Sequence, residues 1–210
     1  PMRSLALVAS LVLFGSASLP AATAPAPLDW AAVEAETLRH FQAIVRLDTS
    51  DPPGNERPVV EYLKRVLEAE GIEVKLFAKE AHRPNLVARL RGDGSKRPLL
   101  VMAHTDTVNV DPKKWKHGPF SSHREDGYIY GRGTVDDKDN VAAGLMTMLV
   151  LKRTQLPLAR DVIFLAESGE EGAVHVGIEF MVREHFKEIE AEFCLAEGGS
   201  VARSGGKPQY

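Results

Sequence analysis

Apolar residues recur at helical spacing from Trp30 to Val45, where Trp30, Val33, Leu38, Phe41 and Val45 form one stripe and Asp29 stands at the N-cap position. The run Asp51-Pro52-Pro53-Gly54-Asn55 breaks the chain. A second helix is expected over 56–70, with Pro58 tolerated in its first turn, Val59, Leu63 and Val66 on one face, and Gly71 as its stop. Runs rich in Val, Leu and Ile predict strands at 72–77, 85–90 and 99–103. Further along, the pattern predicts a buried helix over 139–153 opened by Asp139-Asn140 as a cap, a strand at 161–166, a helix at 177–185 and a last strand at 192–196. Alternating strands and helices predict an α/β fold, a three-layer sandwich whose mostly parallel sheet has helices on both faces.

The first 27 residues do not join this pattern. Arg3 precedes an apolar stretch from Leu5 to Phe14, and small residues and prolines follow through Pro27, the layout of a secretory signal peptide and linker. Export to the periplasm or exterior is therefore expected, with no stable membrane span after processing, because the stretch is shorter than the ~20 residues a spanning helix needs. Residues 28–210 form the remaining folded unit. At 44% hydrophobic and 26% charged, the composition is that of an ordinary globular protein and names no function. A net charge of -3 without a long basic run argues against nucleic acid as a partner. Cys194 is the only cysteine, so no intrachain disulfide forms, and its place between Phe193 and Leu195 predicts a buried thiol.

Candidate chemistry lies where apolar runs end. His104-Thr105-Asp106 follows Leu99-Leu100-Val101-Met102-Ala103, and Gly131-Arg132-Gly133-Thr134-Val135-Asp136-Asp137-Lys138, Glu170-Glu171 and Glu197-Gly198-Gly199 come after it in order. Strand ends are where an α/β sheet places its functional side chains. Each motif alone also fits a plainer role: an ordinary surface pair for His104 and Asp106, a turn with a solvated acid for Asp136, and solvated acids for Glu170, Glu171 and Glu197. Their conjunction points to a metal centre, since one imidazole and several carboxylates are ligands zinc accepts. His40, His82, His117, His123, His175 and His185 show no comparable spacing and are expected to be structural or solvated.

From Trp30 to Tyr210 the order of these motifs resembles the zinc-dependent metallopeptidase and deacylase family that includes aminoacylase-1, acetylornithine deacetylase, succinyl-diaminopimelate desuccinylase and bacterial glutamate carboxypeptidases. Trp115, Pro119-Phe120 and Asp126-Gly127 are similar to the family's connection between its first two ligands. The resemblance implies two zinc ions, or cobalt or manganese in their place. His104 would bind the first metal with Asp106 behind it, Asp136 would bridge both, Glu171 would bind the second, and Glu197 would complete the first. Glu170 would be the general base, and a cis peptide bond would follow Asp136. Asp139-Asn140 depart from the family, which commonly has glycines there. The family's second-metal histidine and its lid domain, through which homodimers form, would lie beyond Tyr210. The implied reaction is hydrolysis of an amide bond in a small peptide or N-acyl amino acid, of carboxypeptidase or deacylase type. A secreted dizinc aminopeptidase, or an inactive receptor-like or solute-binding relative, stands as the alternative.

Overall fold

Asp29 accepts a hydrogen bond from the Ala32 amide at 3.1 Å and so opens α1 (Trp30–Val45) at the position its sequence predicts. The structure is a computed structural model that describes residues 28–198, 202–205 and 207–209, so the predicted signal segment lies outside the described residues. After α1 come β1 (Ser50–Asp51), α2 (Arg57–Ala69), β2 (Glu73–Phe77), β3 (Asn85–Leu90), β4 (Leu99–His104) and β5 (Thr107–Val108). A 3-10 turn at Pro112–Lys114 leads to β6 (His123–Glu125) and β7 (Tyr128–Tyr130). Then follow α3 (Lys138–Thr154), β8 (Val162–Glu167), α4 (Ile178–Glu184), α5 (Phe186–Ile189), β9 (Phe193–Leu195), β10 (Ala202–Ser204) and β11 (Lys207–Gln209).

The central sheet has the order β2, β3, β8, β4, β9. β4 pairs parallel with both β8 and β9, while β3 is antiparallel to β2 and β8, so four strands point one way and β3 alone is reversed. Alternation along the strands supplies two cores. Leu86, Ala88, Leu90, Val162, Phe164 and Ala166 pack with residues of α1, α2 and α3 on one face. Val87, Leu100, Ile163 and Leu165 pack with Phe180 and Met181 of α4 and Ile189 of α5 on the other. The predicted three-layer sandwich is therefore the observed one. Each of the large aliphatic side chains fully buried here contributes about 1.5 to 3 kcal/mol relative to exposure. The helical layer comes close to the sheet at Gly144 of α3, where an added Cβ would lie 2.3 Å from Phe164 Cε2 of β8.

Three local expectations are corrected. The helix expected to open on Asp139-Asn140 has Asp137 as its N-cap instead. The Val141 amide bonds to the Asp137 carbonyl at 3.0 Å, and the Asn140 side chain turns back to donate to the Asp137 carboxylate. Cys194 is exposed rather than buried, because β9 pairs only with β4 and forms the edge of the sheet among the described residues. Its neighbours Phe193 and Leu195 are exposed too. Trp30 lies in the first turn of α1 and faces solvent despite its place on the apolar stripe.

Candidate metal centre

β4 ends in the buried pair Ala103 and His104, the latter 1% exposed. The parallel register sets His104 opposite Glu167, the last residue of β8. The Thr105 amide and hydroxyl both donate to the Glu167 carbonyl, at 2.8 and 2.7 Å, and lock the two strand ends together. From this fixed point the His104 ring reaches up between acids contributed by three loops.

Asp106 is fully buried and does more than stand behind the imidazole. Its carboxylate lies 3.4 Å from His104 Nδ1, whose nearer partner is the Asp106 backbone carbonyl at 3.1 Å. The same carboxylate accepts the Glu170 amide at 3.1 Å and the Glu171 amide at 3.0 Å, one on each oxygen. Asp106 thus fastens the β8–α4 loop to the end of β4, and both glutamates are held over the His104 ring.

The Asp136 loop is anchored as firmly. Gly133 adopts a φ of +82°, and an added Cβ would lie 2.9 Å from Thr107 Cγ2, so both conformation and space favour glycine there. Lys138 is buried, donates from Nζ to the Leu47 carbonyl at 2.6 Å, and is lowered to a pKa of about 8 by burial. Between them the Asp136–Asp137 peptide bond is cis. Asp136 then points outward, 59% exposed at the side chain, and Asp137 points inward to accept the His104 backbone amide at 3.0 Å.

Asp136 Oδ1 lies 2.8 Å from His104 Nε2, Glu197 Oε2 lies 3.7 Å from it, and Glu170 Oε2 lies 3.9 Å from it. His104, Asp136 and Glu171 offer donor atoms within 4.8 Å of one another, and so do His104, Asp137 and Glu197. The structure brings together all six residues singled out in the sequence. It adds Asp137 and Glu167, which sequence reasoning passed over. Asp137 is visible only as the second acid of a pair, and the backbone alone decides which of the two points upward. Glu167 ends an apolar run, and only its register with His104 reveals it.

Electrostatics fit a cation at this point. Burial opposes a charged imidazole, but hydrogen bonds to Asp106 and Asp136 and the charges of Asp106 and Asp137 outweigh it and hold the His104 pKa up at about 10. Burial, reinforced by neighbouring carboxylates, raises Glu171 and Glu197, and it pushes Glu167 up to about 8 with one oxygen lacking a hydrogen-bond partner. So many acids around one imidazole repel one another, and a divalent ion relieves that repulsion. Around the centre, Trp115 stacks with Arg132 at 5.5 Å, and Phe120 faces the Lys138 ammonium at 6.0 Å.

Comparison with known proteins gives the family. Residues 100–208 match the model of peptidase family M20/M25/M40, just over half of the chain, and the chain belongs to that family. It is 34% identical over 140 residues to N-formyl-4-amino-5-aminomethyl-2-methylpyrimidine deformylase from Halalkalibacterium halodurans, covering 65% of this chain and 33% of that protein. It is 35% identical over 141 residues to a probable succinyl-diaminopimelate desuccinylase from Staphylococcus aureus, covering 66% of this chain and 34% of that one. Among solved structures, an M20 family metallo-carboxypeptidase from Sulfolobus solfataricus superposes with a TM-score of 0.67 at 27% identity, covering 79% of this chain and 38% of that one. The chain therefore spans about a third of the length of the curated relatives it matches.

Proposed function

We propose that this chain is the N-terminal part of the catalytic domain of an exported dizinc hydrolase that cleaves an amide bond in small peptides or N-acyl amino acids. The observation that carries the reading is the convergence of Asp136, Glu170 and Glu197 on a single buried nitrogen of His104. His104, Asp136 and Glu197 are assigned to one ion, Asp136 and Glu171 to the other, with Asp137 orienting His104 from below. When bound, the ions supply Lewis-acid polarisation of the scissile carbonyl and acidify water. Glu170 is exposed, its carboxylate accepts no hydrogen bond among the described residues, and its backbone amide, bonded to Asp106, aims it at the centre. It takes the proton of the attacking water and returns it to the departing amine. The names of the relatives, a metallo-carboxypeptidase, a deformylase and a desuccinylase, support a hydrolase of this kind and leave the acyl group open. Export rests on the apolar stretch from Leu5 to Phe14 and is tested by fusing residues 1–27 to a reporter that matures only outside the cytoplasm.

Glu170→Gln in the full-length enzyme tests the assignment directly. Metal content stays the same while turnover falls by ~10² to 10⁴-fold, the scale of acid-base catalysis. Unchanged turnover with metal in place removes Glu170 from the mechanism. Ligand counting adds a second expectation. Residues 1–210 give one ion three donors and the other only two, so this chain alone holds about one ion at the His104 centre and hydrolyses little or no amide. Metal analysis with an activity assay checks it.

A further inference from the structure

His117 and His123, which show no ligand spacing in the sequence, meet at the β6–β7 hairpin. Their rings stack with centroids 3.8 Å apart and planes 19° from parallel. Glu125 lies two residues beyond His123 on β6, so its side chain shares that face of the strand, and its Oε2 is 3.3 Å from His117 Nε2. Each of the three residues offers a donor atom, these atoms all lie within 4.8 Å of one another, and all three residues are half-buried. Tyr130, directly across the hairpin from His123, closes the cluster with its ring 5.2 Å from that of His117.

We propose that His117, His123 and Glu125 form a separate binding site for one divalent cation of the zinc class. Two imidazoles and a carboxylate, with a fourth position left to water, are the donor number and type of an open tetrahedral zinc site. The nitrogens select zinc, copper or nickel over magnesium or calcium, which prefer all-oxygen shells. Glu125 already attracts a cation: Lys116 Nζ sits 2.7 Å from the same Oε2. The Lys116 side chain is 72% exposed and free to swing into solvent when the ion replaces it. A modest turn of one ring about its Cβ–Cγ bond converts the stack into two converging nitrogens, at the cost of the stacking contact. The site shares no residue with the His104 centre. It clips the segment after the 3-10 turn to β6, and β7 runs straight into the Gly131-Arg132-Gly133 turn that carries Asp136. The ion thus sits on the approach to the catalytic loop, held by three side chains with one position left to water.

Zn²⁺ titration of the metal-stripped chain, beside its His117→Ala/His123→Ala double variant, tests the site. Wild-type protein binds about one more equivalent than the variant, and Glu125→Gln weakens that ion by about tenfold or more. Equal stoichiometry and equal affinity in wild type and double variant would overturn the proposal. Cu²⁺ electron paramagnetic resonance on the wild-type chain gives a second readout that needs no folded variant. The His104 centre offers one imidazole from this chain, so a signal with two coupled nitrogens reports the hairpin site. Copper coupled to a single nitrogen at every loading sinks it.

Discussion

Asp106 shows how much one side chain can decide. Its two carboxylate oxygens accept two consecutive loop amides while the residue flanks the His104 ring, so a single buried charge positions the imidazole and both glutamates. Asp106→Asn keeps the volume but turns one acceptor into a donor that faces an N–H. The variant is expected to stay folded, to lose about 1 to 3 kcal/mol through the unsatisfied amide, and to bind zinc ~10 to 100-fold more weakly. Denaturant unfolding and metal titration measure the two effects; an unchanged metal affinity would confine Asp106 to a structural role. The motif itself was legible in the sequence because a histidine and an acid at a strand end are visible as letters. The amide bonds to Glu170 and Glu171 were not, since they join positions more than sixty residues apart.

At the scale of elements, α3 and the sheet meet where a side chain has been left out. Gly144 allows Phe164 to lie against the helix backbone, and a methyl group there would sit 2.3 Å from the Phe164 ring. Ala is the better helix former, so propensity alone predicts that Gly144→Ala stabilises by about 1 kcal/mol. Overpacking against a fully buried ring reverses the sign, and the substitution is expected to destabilise by about 1 to 3 kcal/mol. Chemical denaturation decides between them. Because α3 begins directly after the Asp136 loop, a displaced helix also shifts that carboxylate away from His104, and zinc affinity falls in parallel. Element positions were largely legible: the capped start of α1 and strands β3 and β4 lie where periodicity and composition put them. The cap of α3 falls on Asp137, because Asp137, Asp139 and Asn140 are all good capping residues and the backbone path through the preceding turn chooses among them. The exposure of Cys194 has a related cause, since an apolar run says nothing about whether its strand is central or at an edge.

Across the whole molecule, one ion-pair cluster ties together the helical layer. Arg153 of α3 makes a bidentate pair with Glu36 of α1, at 2.6 and 3.1 Å, and reaches Glu70 just past α2 at 2.6 Å. Hydrogen bonding to Arg153 is the main reason that the Glu36 pKa falls to about 2 in the folded state. A carboxylate whose folded pKa lies below its unfolded value of 4.5 adds stability above that value, and loses it as pH falls towards 2. Arg153→Ala is therefore expected to destabilise the protein clearly at pH 7 and progressively less between pH 4.5 and 2. Unfolding of both proteins across that range checks the sign; a pH-independent difference would show that Arg153 acts by packing alone. The sequence by itself determined the order of the four longer helices and the five strands of the central sheet, and the identity of the acids and the histidine at strand ends, because periodicity and turn chemistry act locally. Tertiary structure decided strand order in the sheet, which of two neighbouring aspartates faces the centre, the register that sets Glu167 against His104, and the meeting of His117 with His123. Each of these depends on the relative placement of segments distant in sequence, and that placement is fixed by burial of both sheet faces at once rather than by any local preference.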